Sequence, residues 1–260
     1  MSEQQDATMS MTTQRVVMVH GSPGGPRSWS AVQRALHERG TGVEVATPTL
    51  PGHARGDLPA DPALTLEDRG RELVGAVRAG DTPVVLVGHS FGAVVAVAAL
   101  LDAPELIERA VLLEPVALYA LPWSGDADLD RLATTTFEGY LNEVERGEPD
   151  AVATMIDFWF APGAYAALPD KLRSFLAAGA PANARDVRAV LDYRPRPDAF
   201  AGCPVPVTIV LGTRSPAASA QLCRNLAGAL PAGRVIELAG ANHAMADTHA
   251  EAIADLIVDG

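Results

Sequence analysis

Residues 82–92 have the sequence TPVVLVGHSFG, in which a short valine-rich run ends at Gly88 and is followed by Ser90. The run is too short for a buried helix and is β-branched, so it predicts a buried strand of a parallel sheet. A second apolar run, residues 93–101, is alanine-rich and free of Gly and Pro, which predicts a buried helix. Ser90 therefore stands at a sharp corner between a strand and a helix.

A serine at such a corner must adopt a strained backbone conformation. Gly88 and Gly92, two residues before and two after Ser90, let the strand and helix approach without a Cβ clash. The corner lifts the hydroxyl clear of the sheet and directs the helix N-terminus at it. Gly-x-Ser-x-Gly recurs by chance, but the strand before it and the helix after it favour a nucleophile elbow over a plain turn.

Composition sets the broad class of the protein. A chain of 260 residues with 48% hydrophobic and 20% charged residues is typical of a soluble globular enzyme with one core and an insertion. The net charge of −12 argues against nucleic acid and against anionic membranes as partners, and its simplest reading is solubility. The two cysteines, Cys203 and Cys223, form neither a disulfide framework nor a metal-binding pattern, so we expect no metal.

The N-terminal segment, residues 1–14, is polar, lacks Lys and Arg and has no apolar stretch, so we expect no signal peptide. No later apolar run is long enough to span a bilayer. We therefore expect a cytoplasmic protein that does not bind membranes. The sequence leaves a homodimer open.

Strand and helix patterns alternate along most of the chain. Besides the run before Gly88, strands are predicted at 15–20, 43–46, 110–114, 207–211 and 234–238, with helices at 28–39, 65–79, 217–230 and 249–258. This alternation predicts right-handed βαβ units and a parallel sheet. From 121 to 200 there are only helical patterns, at 129–146, 150–160, 169–178 and 185–191. We predict an α/β core formed by residues 1–121 and 201–260, interrupted by a helical cap at 122–200.

A serine hydroxyl is a weak nucleophile and needs a base within hydrogen-bond reach. His243 lies in the loop after the last predicted strand, at the sheet edge where the elbow also opens, and is the predicted base rather than a surface histidine. His89, beside the serine, is expected to point elsewhere. His20 and His53, which follow strands near the site, are expected to hold loops by hydrogen bonding.

Acyl transfer also needs donors for the oxyanion of its intermediate. The backbone N–H of Phe91, at the head of the helix, is one candidate, and the N–H of Ser22 is the other. Gly21 allows a tight turn before Ser22, and Pro23 stiffens the loop after it. The alternative is an ordinary loop rich in Gly and Pro.

With Ser90, His243, His20-Gly21 and the Leu-Pro-Gly-His sequence at 50–53, the chain resembles the α/β-hydrolase superfamily over nearly its whole length, and most of all its esterase-like members with a helical cap. The resemblance implies a mostly parallel central sheet flanked by helices. Family members that attack with an aspartate, such as epoxide hydrolases, are set aside because this elbow carries Ser90. The sequence has no phosphate-binding loop and no dinucleotide fingerprint, so we expect no cofactor.

The acid of a Ser–His–acid triad is where the sequence departs from the family pattern. In most members the acid follows the strand after the cap, but no Asp or Glu occurs between Cys203 and Gly233. Glu114 ends the strand after the elbow unit, a position that some members, including certain haloalkane dehalogenases, use for their acid. We predict that Glu114 is the acid; the alternatives are a Ser–His dyad and a glutamate bonded to backbone at the cap hinge.

Aromatic residues are concentrated in the predicted cap, and we expect Trp123, Phe158 and Trp159 to line an apolar substrate pocket. For any one of them, packing of the cap on the core is the simpler role.

The function predicted is a serine hydrolase that cleaves a small-molecule ester or thioester with a bulky apolar portion through an acyl-enzyme on Ser90. Alternatives are acyl transfer to an internal alcohol or amine, as in a cyclisation, and carbon–carbon bond hydrolysis of a dicarbonyl compound. The His-Gly-x-Pro loop at residues 20–23 also occurs in cofactor-free haloperoxidases and perhydrolases, so peracid formation as a side activity stays open. A non-enzymatic receptor with the same fold is the remaining alternative.

Overall fold

The computed structural model describes residues 14–54, 61, 63–80 and 82–260. Residues 1–13 therefore lie outside the described residues. They make up all but Gln14 of the N-terminal segment for which we predict no signal peptide. None of the helices in the described ranges is long and apolar enough to cross a bilayer.

The described residues form one sheet of six strands. These are β1 (Arg15–Val19), β2 (Glu44–Ala46), β3 (Val84–His89), β4 (Ile107–Leu113), β5 (Val207–Gly212) and β6 (Gly233–Leu238). Their order is β2-β1-β3-β4-β5-β6, and every neighbouring pair is parallel. The predicted parallel sheet is confirmed, and because all strands run the same way, their carboxyl ends share one edge.

Helices cover both faces of the sheet, as the family resemblance predicts. They are α1 (Ser30–Glu38), α2 (Leu66–Val77), α3 (Phe91–Asp102), α4 (Ala127–Glu145), α5 (Val152–Trp159), α6 (Asp170–Asp192), α7 (Ala217–Ala229), α8 (Met245–Thr248) and α9 (Ala250–Asp259). Alternate residues of a strand point to opposite faces. Val16 and Met18 of β1 therefore pack with α1 and α9, whereas Val17 and Val19 pack with α2 and α3. All residues of α3 from Phe91 to Leu100 are buried, which confirms the predicted buried helix.

The helices α4, α5 and α6, here called the insertion helices, lie in the chain between β4 and β5. Both α5 and α6 pack against α4. The domain boundaries at 121/122 and 200/201 stay predictions.

One helix prediction in this segment is wrong. The sequence predicts two helices, at 169–178 and 185–191, whereas α6 is continuous across Pro181. A proline inside a helix removes a backbone donor and disfavours helix. Here α6 buries Leu176, Ala180 and Val190 on either side of the proline, so tertiary packing outweighs the local preference.

Smaller differences concern strand ends, including those of β4 and β2. The strand predicted at 110–114 begins at Ile107 and ends at Leu113, so Glu114 is the first residue beyond it. The strand β2 begins at Glu44, one residue later than predicted. The cysteines Cys203 and Cys223 are buried free thiols.

Candidate active site

Ser90 occupies the turn from β3 to α3 with φ 55° and ψ −122°, the strained conformation expected from the sequence. A Cβ at Gly88 would lie 2.5 Å from the Cα of Ala93, so only glycine permits this strand–helix corner. A Cβ at Gly92 would lie 2.3 Å from the carbonyl oxygen of His20. Gly92 therefore lets α3 approach the end of β1, whereas Gly88 lets α3 approach β3.

A continuous chain of hydrogen bonds joins the three predicted triad residues. The Oγ of Ser90 lies 3.0 Å from Nε2 of His243, and Nδ1 of His243 lies 2.8 Å from Oε2 of Glu114. Donation from Nδ1–H to the carboxylate leaves Nε2 free to accept the serine proton. All three residues are buried, and they come from the ends of β3, β4 and β6.

The carboxylate of Glu114 is held by donors on both oxygens. Its backbone has a φ of 40°, which is uncommon for a residue other than glycine and turns the chain sharply after β4. Oε1 accepts hydrogen bonds from the Gly212 N–H, at 2.9 Å, and from the Ser215 hydroxyl. Burial raises the pKa of the carboxyl, but the hydrogen bonds from His243, Ser215 and Gly212 outweigh it, so the pKa lies below its ordinary value.

Gly212 and Ser215 lie at the end of β5 and in the loop after it, where most family members carry the acid. In this protein the loop supplies hydrogen-bond donors to Glu114 instead. Apart from the position of the loop at the same sheet edge, no sequence pattern marks these donors.

Aromatic side chains cover the imidazole of His243. The Trp159 ring stacks on it, with centroids 5.6 Å apart and an interplanar angle of 15°, and Phe160 meets it edge-on. Nε2 of His89 donates to the carbonyl of His243 at 2.8 Å and so fixes the loop that carries His243. Burial and the neighbouring His243 lower the pKa of His89 to about 4, so its ring is neutral at pH 7.

The two predicted oxyanion donors flank Ser90. A Cβ at Gly21 would lie 3.1 Å from the Cβ of Ser90, which places the Gly21-Ser22 loop against Ser90. Among the residues that the structure describes, neither the Ser22 N–H nor the Phe91 N–H donates to another backbone group outside regular helix or strand pairing. Both N–H groups therefore stay candidate oxyanion donors.

His20 fixes this loop by hydrogen bonding, as the sequence predicts. Its Nδ1 donates to the Gly21 carbonyl at 2.8 Å, and its Nε2 accepts from the Leu50 N–H at 3.1 Å. Burial lowers the pKa of His20 to about 4. The ring is neutral at pH 7, which its acceptor role at Nε2 requires.

The helix α6 reaches the site through two buried polar side chains that sequence reasoning missed. Asn183 donates from Nδ2 to the Ser22 Oγ at 3.0 Å and accepts from the Tyr140 hydroxyl at 2.7 Å. Asp186 lies 3.0 Å from NH1 of Arg69 and 2.8 Å from Nε2 of His53. His53 thus holds its loop by hydrogen bonding, as predicted, but a pairing between α2 and α6 carries no sequence signal.

Two cavities border Ser90. The inner one, of about 20 Å³, lies against Phe91 and Leu118, and the outer one, of about 320 Å³, lies against His243. Trp159 borders both cavities, in line with its predicted role.

Trp123 and Phe158 border neither of these two cavities, and their part in substrate binding stays a prediction. Trp123 packs on Tyr119 and Phe200, and Phe158 packs on Phe137. Both side chains bury their rings in aromatic clusters beside the site, which is the packing role named above as the simpler alternative. Within the described ranges, no group of three or more His, Cys, Asp or Glu side chains has the arrangement of a metal site.

The parallel sheet with its flanking helices, and the serine at the turn from β3 to α3, are features of α/β hydrolases. Comparison with known families gives the same class. Residues 16–256 match the model of the Alpha/beta hydrolase family, so the chain belongs to this family.

Curated relatives match part of the chain. The sn-1-specific diacylglycerol lipase ABHD11 of Mus musculus is 33% identical over 114 residues, which are 44% of this chain and 36% of that protein. Lipase LipV of Mycobacterium tuberculosis (strain ATCC 25618 / H37Rv) is 34% identical over 102 residues, or 39% of this chain and 37% of the relative. The matched segments thus span little more than a third of these relatives.

Solved structures match nearly the whole fold. The enol-lactonase from Burkholderia xenovorans LB400 superposes with a TM-score of 0.72 at 20% identity and covers 95% of this chain and 90% of that one. At this identity the likeness concerns the fold alone.

Proposed function

We propose that the protein is a serine hydrolase that cleaves a carboxylic ester or thioester with a bulky apolar portion through an acyl-enzyme on Ser90. The observation that carries the proposal is the hydrogen-bond chain from Ser90 through His243 to Glu114. Such a chain is the arrangement that activates a serine hydroxyl.

In the acylation step, Nε2 of His243 takes the Ser90 proton as Oγ bonds to the substrate carbonyl carbon. The negative oxygen that forms accepts hydrogen bonds from the Ser22 and Phe91 N–H groups. Glu114 stabilises the imidazolium through Nδ1–H. His243 then gives its proton to the leaving oxygen or sulfur, the bond to that atom breaks, and the acyl group stays on Ser90.

In the deacylation step, water takes the place of the leaving group. His243 removes a proton from the water as the water oxygen bonds to the acyl carbon. It then gives that proton to Oγ of Ser90 as the bond from Oγ to the acyl carbon breaks. The products are the free acid and the original enzyme. Every step uses side chains and backbone N–H groups of this chain together with water, and no step needs a metal or a cofactor.

The relatives favour ester chemistry over the other reactions that this set of residues can carry out. The two curated relatives described above are named as lipases, and lipases act on esters. We further propose that residues 122–200 act as a cap, because Met155 and Trp159 of α5 border both cavities at Ser90.

A fluorophosphonate reagent tests the proposal, because it reacts only with an activated serine. Intact-mass analysis should show one adduct in the parent protein and in Ser174→Ala, which changes an exposed serine of α6. The adduct should be absent from Ser90→Ala and His243→Ala. An adduct that persists in Ser90→Ala, or a parent protein that does not react, would refute the proposal, and the second result would favour a receptor.

A further inference from the structure

The two cavities at Ser90 differ in size by more than tenfold, at about 20 Å³ and about 320 Å³. An ester bound at Ser90 has two arms, the acyl remainder and the alcohol, and the two cavities offer a place for each. The place of each cavity relative to His243 and to the oxyanion donors decides which arm goes where.

The inner cavity has room for about one water molecule, and so for an acyl remainder about the size of a methyl group. Its walls include the buried side chains of Leu118, Phe137 and Val190. On the insertion-helix side the wall is fixed by Asn183 and Asp186, whose hydrogen bonds and ion pair tie α6 to the core. A close-packed wall of this kind does not yield to extra methylene groups without strain.

The outer cavity has the size of an ordinary small-molecule site. Apolar side chains of the insertion segment form one side of it: Ile156, Phe160, Leu168, Leu172 and Leu176. Its outer wall is close to solvent, since 41% of Leu172 is exposed. A long apolar group fits here and can extend beyond the protein surface.

The proton transfers fix the direction of the substrate. The leaving oxygen must lie at Nε2 of His243, because this histidine protonates it. His243 borders the outer cavity and not the inner one; of the two proposed oxyanion donors, Phe91 borders the inner cavity alone and Ser22 borders both. The alcohol therefore extends into the outer cavity, and the acyl remainder points into the inner one.

We infer that the substrates are esters of a short-chain acid, of acetyl size, with a bulky apolar alcohol. This inference rests on the proposed serine hydrolase and assigns the bulky portion of the substrate to its leaving group. The residues that limit acyl length are Leu118 and Val190, and Leu172 contributes to binding of the alcohol.

Two isomeric esters test the inference directly. Hexyl acetate and ethyl hexanoate have the same atoms and both release a primary alcohol, but they place the long chain on opposite sides of the carbonyl. After each kcat/KM is divided by the rate constant for alkaline hydrolysis of the same ester, hexyl acetate should exceed ethyl hexanoate by at least about tenfold. An equal or reversed ratio would overturn the inference.

Variants confined to one cavity sharpen the test. Val190→Ala and Leu118→Ala each enlarge the inner cavity, and either one should raise the relative rate with ethyl hexanoate. Leu172→Ala should lower kcat/KM for hexyl acetate more than for ethyl hexanoate. Its matched control is Leu132→Ala, which removes an exposed leucine that borders neither cavity and should leave the ratio unchanged.

The outcomes separate this inference from the function on which it rests. A parent protein that reacts with the fluorophosphonate at Ser90 but prefers ethyl hexanoate would refute the assignment of the cavities and leave the hydrolase intact. A parent protein that neither reacts with the reagent nor cleaves either ester would refute both.

Discussion

Glu114 is the residue at which this chain departs most from the usual family pattern. It lies one residue beyond β4, in a backbone conformation that few residues other than glycine adopt, and it is almost fully buried. Three donors hold its two oxygens, so it is an ionised carboxylate at neutral pH. These surroundings suit the role proposed for Glu114, which is to fix one tautomer of His243 as the acid of the triad.

Replacing Glu114 by glutamine tests this role. With the amide oxygen still accepting from Gly212 and Ser215, the new NH₂ group faces Nδ1 of His243. The imidazole must then accept at Nδ1 and carry its proton on Nε2, where it no longer takes the proton of Ser90. We expect Glu114→Gln to lose roughly ten-thousandfold in kcat, as the equivalent change does in serine proteases, with little change in Tm.

The control for this prediction is Ser215→Ala, which leaves the carboxylate and its bond to His243 in place and should keep most of the turnover. Esterase kinetics and thermal melting of both variants measure the difference. If Glu114→Gln keeps turnover within a few-fold and only its Tm falls, Glu114 is structural.

At this scale the sequence predicted the positions of Ser90, His243 and Glu114, because residues that follow parallel strands must lie at one sheet edge. It did not predict Gly212 and Ser215 as donors, since nothing local marks a loop that donates to a distant side chain. The aromatic neighbours of Trp123 and Phe158 were not predictable for a related reason: aromatic composition predicts burial but not which neighbour a ring meets.

At the scale of the elements, α6 connects the insertion helices to the core. Asp186 of α6 forms a buried ion pair with Arg69 of α2, and Asn183 binds the loop that carries Ser22. The sequence predicts two helices, one on each side of Pro181, whereas α6 is continuous. The prediction fails because the local preference of proline takes no account of how residues on both sides of it pack.

The buried ion pair predicts a large stability effect at one position of α6. Asp186→Ala leaves the guanidinium of Arg69 buried and uncompensated, which should lower the free energy of unfolding by about 3–5 kcal/mol. Asp192→Ala, on the same helix, removes only an exposed pair with Arg188 and should stay within about 1 kcal/mol of the parent. Urea unfolding at neutral pH measures both, and similar values for the two variants would contradict the assignment.

At the scale of the whole molecule, the parallel sheet brings the site together. Every strand from β1 to β6 except β2 ends beside a residue of the site, so the proposed function depends on the integrity of the whole edge. Two neutral histidines, His20 and His89, lie behind this edge and hold its loops. The sequence predicted the edge itself from the alternation of strands and helices.

The lowered pKa values of His20 and His89 predict that the free energy of unfolding depends on pH. Each has its folded-state pKa lowered from 6.5 to about 4 by burial, so between these pH values the unfolded chain binds protons that the folded chain does not. The free energy of unfolding should therefore fall as the pH is lowered through this window, by up to about 1.4 kcal/mol per pH unit for each histidine. Urea unfolding at a series of pH values measures the slope, which should be smaller in His20→Gln. An unchanged slope in that variant would show that His20 is not the group responsible.

The proposed mechanism requires that Ser90 carry the acyl group during turnover, and this covalent intermediate can be trapped. The protein is mixed with p-nitrophenyl acetate, quenched in acid during turnover, digested and analysed by mass spectrometry. We expect one acetyl group on the peptide that contains Ser90, present during turnover, lost once the substrate is consumed, and absent from Ser90→Ala. An acetyl group on a different residue, or equal turnover by Ser90→Ala, would contradict the claim.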